Sequence, residues 1–231
     1  MDQAEVTQKL LDAAEMHVPF DGWSGEMFSA ACRDAEIDES FARLFLPAGG
    51  RDLAIAAHQK GDADMITQLA DMDLSELRFR DKIARAVMCR LECAGDKEAV
   101  RRATTLFALP QNLAIGTKLI WGTSDVIWTA LDDTSRDYNW YSKRATLSGV
   151  YGSTVLYWLG DTSQGDQATQ KFLDRRIENV MQFEKVKGQI RKSPSLMRLL
   201  SGPRALLDRL HAPEGRMDLP GSIDTSSKEK L

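Results

Sequence analysis

Apolar residues return every three or four positions through most of this chain, and runs alternating apolar with polar residues are confined to short pieces. That spacing lays an apolar stripe along a helix and none along a strand face, so it restricts the fold to packed helices. Ala, Leu, Met, Glu, Lys, Gln and Arg dominate, and these lose little side-chain freedom on entering a helix. The chain is predicted to be all-α. Its 231 residues suffice for one sizeable core or two closely packed lobes.

Breakers divide the pattern. A first helix is expected over 3–17, ended by Pro19 and the Asp21-Gly22 pair. Short helices follow near 24–33 and 39–46, and Pro47 with Gly49-Gly50 interrupts the chain before a longer helix over 51–70. Further helices are predicted at 74–93, 96–107, 111–131, 137–159, 165–190 and 195–210, with Pro110 as a break. The expected organisation is a degenerate helix-turn-helix-like region at 1–50, a helical bundle at 51–192, an amphipathic helix at 193–212 and a disordered tail at 213–231.

Three short helices ahead of a bundle resemble the layout of TetR-type transcription regulators, and Leu44-Phe45 followed by Arg51-Asp52-Leu53 echoes how that family closes its helix-turn-helix. The charge argues against DNA readout. Affinity for DNA comes largely from Lys and Arg on phosphates, yet residues 34–46 carry Asp34, Glu36, Asp38 and Glu39 against Arg43 alone. Nor does the turn hold the Gly that eases a sharp corner. A retained scaffold without readout is expected, with no nucleic-acid partner; a ligand-responsive TetR-type regulator is the alternative.

Catalytic constellations are missing from the local sequence. His17, His58 and His211 make no metal-hydrolase or di-iron spacing with carboxylates, and no phosphate-cradling loop or nucleophile elbow is present. Cys89 and Cys93 lie one helical turn apart without a second ligand pair, which fits core thiols better than zinc. No catalytic residue, metal or cofactor is expected; an unrecognised hydrolase, its site assembled from distant residues, stays as a rival. Three cysteines without framework spacing suit a reducing compartment, and the start has neither signal-peptide nor presequence character. The bacterial cytoplasm, peripheral to the inner membrane, is therefore the expected location, with a mature organellar form as the alternative.

Residues 109–160 are the most informative. Leu109-Pro110-Gln111-Asn112 opens a helix on which Trp121, Asp125 and Trp128 share a face. Then come Asp132-Asp133-Thr134-Ser135-Arg136-Asp137 and Tyr138-Asn139-Trp140-Tyr141-Ser142-Lys143-Arg144-Ala145, where Thr134 and Asp137 have capping-box spacing. The tryptophans are core by default, but adjacent Trp140 and Tyr141 point apart on a helix, so one is expected at the surface as a partner anchor. Ala145, Ser148 or Gly149, and Gly152 form a small-residue line that serves equally a homodimer contact or a groove within the chain.

This central run, with the later Phe172-Leu173-Asp174-Arg175-Arg176-Ile177, resembles the coenzyme Q biosynthesis protein nine family over residues 20–187, most strongly 109–180. Departures are Asp132 where the family usually has Gly, and Tyr138 where Phe is common. The resemblance implies a TetR-like fold turned into a non-catalytic lipid carrier that binds an isoprenoid lipid or quinone precursor. It further implies presentation of that lipid to demethoxyubiquinone hydroxylase through Asp125, Ile127, Trp128, Trp140 and Tyr141.

The last helix adds a membrane expectation. Residues 171–210 carry 10 Lys/Arg against 4 Asp/Glu, whereas residues 1–60 carry 5 against 11. Leu196, Leu199, Leu200, Leu206, Leu207 and Leu210 fall on one side, with Met197 beside them, Arg198 away from that side and Arg204 near the margin. Such a helix packs on the bundle or docks on a membrane surface, where each basic residue contributes about 1 kcal/mol near anionic lipid. Docking is favoured, because the family resemblance implies a membrane-seeking helix here, and Lys185, Lys187, Arg191 and Lys192 would extend the basic surface.

Overall fold

Short polar side chains cap half of the described helices. The structure, a computed structural model, describes residues 1–191, with side chains through residue 182. Those residues form α1 (Gln3–Ala14), α2 (Val18–Asp21), α3 (Gly25–Asp34), α4 (Glu39–Phe45), α5 (Gly50–Ala70), α6 (Phe79–Glu92), α7 (Lys97–Ala108), α8 (Leu113–Ala130), α9 (Tyr138–Leu159) and α10 (Gln167–Arg191), with a 3-10 turn at Gln164–Asp166. No strand occurs among the described residues, as the helical spacing predicts. Asp2, Ser24, Asp38, Asp96 and Asp137 each accept a hydrogen bond from a backbone N–H of the first turn of α1, α3, α4, α7 and α9. Asp38 is thus committed locally, which accounts for part of the acidic character of the head.

Three departures have simple causes. The first helix stops at Ala14, because Pro19 fits the opening turn of a separate four-residue helix, α2, where its missing N–H costs nothing. The helix expected from 74 starts at Phe79, since Asp73 caps the backbone N–H of Ser75 and turns the chain. The cap of α9 is Asp137, not Thr134, and it accepts from Asn139 N at 3.0 Å. Asp132, the residue in place of a family Gly, holds the left-handed conformation (φ 58) that a Gly would hold. The turn closes with Asp133 N donating to Trp128 O at 3.0 Å.

Two apolar clusters result. Val6, Leu10, Met27, Phe28, Ala31 and Leu53 pack the head, while Met65, Val87, Ile127, Tyr151 and Leu173 pack the bundle. Helix α5 contributes Leu53 to one and Met65 to the other. It enters beneath the head at Gly50, where a Cβ would lie 2.5 Å from Ser24 O and 2.6 Å from Trp23 O, so only glycine permits that approach. Trp23 Nε1 donates to Ala99 O (3.0 Å) and Arg102 to Pro19 O (3.0 Å), tying head to bundle across α7.

No helix among the described residues is long and apolar enough to cross a membrane. The amphipathic segment 193–212, with Leu196, Met197, Arg198, Leu199, Leu200, Arg204, Leu206, Leu207 and Leu210, lies outside the described residues, as does the tail 213–231. Lys192 and the side chains of Lys185, Lys187 and Arg191 lie outside them too.

Candidate functional site

Helix α7 is strongly amphipathic, yet of its residues only Phe107 is buried. Its apolar face instead walls a cavity of about 920 Å3 between head and bundle. Ala99, Val100, Ala103 and Phe107 form that wall, Ile120 of α8 and Val155 of α9 lie opposite, and Leu11 and Val18 of the head close over it. Small residues create the space: Ala99 and Ala103 stand one turn apart, and Gly116 lets α8 approach so closely that a Cβ would lie 2.8 Å from that of Phe107. Asn112, buried at the start of α8, donates to Leu106 O (3.1 Å) and fixes the corner between α7 and α8. A volume of this size is within the roughly 300–1,000 Å3 of small-molecule sites.

One end of the cavity is polar. Arg90 of α6, its side chain 3% exposed, donates through Nε to Asp62 (2.6 Å) and through Nη2 to His58 O (2.9 Å). The Thr123 hydroxyl of α8 donates to Asp62 at 2.9 Å, and His58 Nε2 lies 2.8 Å from the same hydroxyl. A carboxylate only accepts, so His58 supplies the proton of its bond to Thr123. The Tyr151 hydroxyl of α9 bonds to Thr123 as well. Burial, then the neighbouring Arg90 charge, push the His58 pKa down to about 4, against the pull of Asp62, so the imidazole is neutral at pH 7. Gly61 makes room for this knot, since a Cβ there would meet the Arg90 guanidinium at 2.7 Å.

A second cluster surrounds the start of α9. Asp133, its side chain 2% exposed, accepts from Lys143 Nζ (2.6 Å), the Ser135 hydroxyl (2.8 Å) and Arg144 Nη1 (3.1 Å). Burial alone would raise its pKa; those three donors outweigh it and hold the carboxyl at about 2. Arg144 also donates to Asp125 of α8 (2.5 Å) and lies 4.0 Å above the Trp140 ring. Trp140 meets Tyr141 edge-on at 4.8 Å and Trp121 at 6.1 Å.

Against this geometry the expected partner surface divides. Asp125, Trp140 and Tyr141 are half-buried and come together. Ile127 is fully buried in the bundle core, and Trp128 is 9% exposed with its ring against Phe79 (5.5 Å) and Lys143 above it (5.0 Å). Neither offers a partner surface, which corrects that expectation. The reason lies in helical spacing: two residues from Asp125 is 200° around the axis, so Ile127 faces inward. Trp121, one turn before Asp125, takes the vacated place in the outer cluster.

The small-residue line also splits. Ser148 bonds to Ser124 (3.0 Å) and Gly152 faces Ile120, both within the chain, whereas Ala145 and Gly149 are exposed. Cys89 is buried and its thiol is pushed up to about 11 by burial, as core thiols are. Among the described residues no group of His, Cys, Asp and Glu is arranged to hold a metal. The sole basic residue of 34–46, Arg43, is bound to Glu39 (2.8 Å) and stacked 5.0 Å from Phe28.

The polar knot of His58, Asp62, Arg90, Thr123 and Tyr151 was not singled out by sequence reasoning. A His and an Asp at i, i+4, and an Arg within the apolar run 86–91, were the available signals. Their convergence from four helices leaves no local spacing.

Comparison with known proteins follows the same lines. A protein-family model described as COQ9 matches residues 113–184. The ubiquinone biosynthesis protein COQ9, mitochondrial, of Rattus norvegicus is 28% identical over 217 residues, covering 90% of this chain and 69% of that protein. The probable ubiquinone biosynthesis protein coq9, mitochondrial, of Dictyostelium discoideum is 28% identical over 198 residues, covering 82% of this chain and 64% of that protein. The chain thus spans about two thirds of these relatives' length. A crystal structure of the TetR transcriptional regulator from Nitrosomonas europaea superposes with a TM-score of 0.62 at 15% identity, covering 75% of this chain and 97% of that one. The resemblance to the coenzyme Q biosynthesis protein nine family is borne out, and so is the all-α, TetR-like fold. The expected bacterial cytoplasm is overturned: the relatives are named as mitochondrial proteins and point to mitochondria instead.

Proposed function

From that family likeness as premise, we propose that this chain is a non-catalytic accessory protein of ubiquinone biosynthesis that binds an isoprenoid quinone precursor and presents it to demethoxyubiquinone hydroxylase. The observation that carries the reading is the cavity of about 920 Å3, walled by the apolar face of α7. A polyisoprenoid tail is too apolar to leave a bilayer without such a cover. Presentation draws on α8, whose inner face lines the cavity with Ile120 while its outer face carries Trp121 and Asp125. The hydroxylase would contact Trp121, Asp125, Trp140 and Tyr141. The proposal includes peripheral membrane docking through the C-terminal amphipathic segment. It also includes a homodimer, for which exposed Ala145 and Gly149 leave the outer side of α9 open to another helix.

The regulator reading is disfavoured by charge, because the head's recognition-helix position is acidic and its Arg43 is already paired. The deciding experiment is the quinone profile of cells lacking this chain, by mass spectrometry of extracted lipids. Accumulated demethoxyubiquinone with depleted ubiquinone is expected. An unchanged profile, with no second copy of the gene, would remove the pathway assignment.

A further inference from the structure

The end of the bundle away from the head carries an apolar face that no described residue covers. Leu77 and Phe79, 39% and 52% exposed, stand there where α5 connects to α6, with half-buried Met72 and Leu74 packed on the core behind them. Phe79 leans on Trp128 of α8 at 5.5 Å. Carboxylates surround this face. Asp71, Asp73 and Glu76 are exposed on the same connection, and Asp132 is exposed in the turn after α8. None of these four enters an ion pair among the described residues, whereas Arg78 and Arg80 are taken up by Asp81 and Glu178. Lys82 and Arg136 are the cations set against them.

The course of the chain names an occupant. Helix α10 passes this end at Glu178, which accepts from Arg80 at 3.0 Å, and its backbone continues roughly 20 Å further to Arg191. Residues 192–195, at most roughly 14 Å of chain, then lead to Leu196. The helix expected over 195–210 is roughly 22 Å long, so a return along α10 brings its far end level with Phe79.

Charge names the same occupant. Residues 192–210 hold Lys192, Arg198, Arg204 and Arg209 against Asp208, and their leucines fall on one side. A basic, leucine-faced segment complements an apolar face set among carboxylates. So short a tether also holds it there at an effective concentration in the millimolar range, so a modest contact suffices.

We propose that, away from a membrane, residues 196–210 of this chain dock on the Leu77–Phe79 face. The same leucines cannot lie against the bundle and in a lipid surface at once. The contact is therefore autoinhibitory, withholding the segment until anionic lipid competes for it. The inference rests on the membrane-docking part of the function proposed above and adds the surface that opposes it.

The test uses the full chain. With p-benzoylphenylalanine in place of Leu77, illumination in solution is expected to join position 77 to a peptide within 196–210, read by mass spectrometry. Mixed isotopically light and heavy chains show whether the adduct lies within one chain. Vesicles of phosphatidylcholine with phosphatidylglycerol are expected to cut its yield several-fold. No adduct to 196–210, or one that joins only different chains, overturns the proposal; the second outcome gives the face to another copy.

Sedimentation with the same vesicles supplies the second measurement. The double variant Leu77→Ser, Phe79→Ser is expected to bind them about fivefold more tightly, as a segment free about one fifth of the time becomes fully available. Leu77→Ser alone, at an exposed side chain, keeps the test if the double variant loses its melting transition. A face that itself touched lipid would bind more weakly on losing its apolar groups. Where the parent binds, equal or weaker binding by the variant overturns the autoinhibition. A parent that forms the adduct yet binds no vesicles removes the membrane-docking reading and leaves the contact on the bundle standing.

Discussion

Asp133 has a nearly buried carboxylate with three donors on it, so it carries a pH-dependent share of stability. Its pKa is depressed in the fold, from 3.8 to about 2, so the stabilisation is full above the unfolded value and disappears as pH falls through the folded one. The shift corresponds to roughly 2 kcal/mol. Asp133→Asn is therefore expected to lower the urea-unfolding free energy at pH 7 by about 2–4 kcal/mol, leaving Lys143 and Arg144 short of their acceptor. The gap between variant and parent should narrow between pH 4 and pH 2; a gap constant with pH would exclude the carboxylate's charge as its source. The outer aromatics make a second residue-level contrast. Trp121→Ala should weaken capture of the proposed hydroxylase partner by more than about tenfold with an unchanged melting temperature. Ile127→Ala should instead cost about 2–5 kcal/mol of stability, as for any fully buried large-to-small change. Loss of capture by Ile127→Ala at full stability would return Ile127 to the partner surface.

Helices α8 and α9 and the turn between them hold most of the chemistry at the scale of elements. Asp137 caps α9, while Thr134 sits three residues earlier in the turn. Asp137→Ala should cost about 1 kcal/mol in chemical denaturation and Thr134→Ala only a few tenths. The opposite order would restore Thr134 as the cap. Capping-box spacing located this helix start to within a few residues, because Ser, Thr and Asp compete for the same orphan N–H groups. Which of them wins depends on the preceding turn. Here Asp132 takes a left-handed conformation to end α8, and Asp133 swings inward to Lys143 and Arg144. Helical spacing likewise placed Trp121, Asp125 and Trp128 on one face, and the same arithmetic applied to Ile127 would have sent it inward.

For the whole molecule, the cavity is the feature on which the proposed function turns. It exists because α7 presents its apolar face to space left by alanines and glycines, with the head held over it by Trp23 and Arg102. Ala103→Trp should fill that space. Lipid recovered with the purified protein, measured by mass spectrometry, is expected to drop several-fold, and the lipid-dependent rise in melting temperature should vanish with it. Lipid recovery equal to the parent's would mean that the bound lipid lies elsewhere.

The sequence by itself determined that the chain is helical, roughly where its helices start and stop, that its head is acidic, and that its central run resembles the COQ9 family. Each of these depends on residues close together in the chain, on periodicity, caps, breakers and local charge, which fold-independent rules govern. The tertiary structure alone decided that α7 lines a cavity and is not part of a closed core. It also brought His58, Asp62, Arg90, Thr123 and Tyr151 together from four helices into one polar knot. An amphipathic stripe records only that a face avoids water. Whether that face meets another helix or a lipid-sized space is fixed by side-chain volumes across the packing, summed over residues distant in the chain.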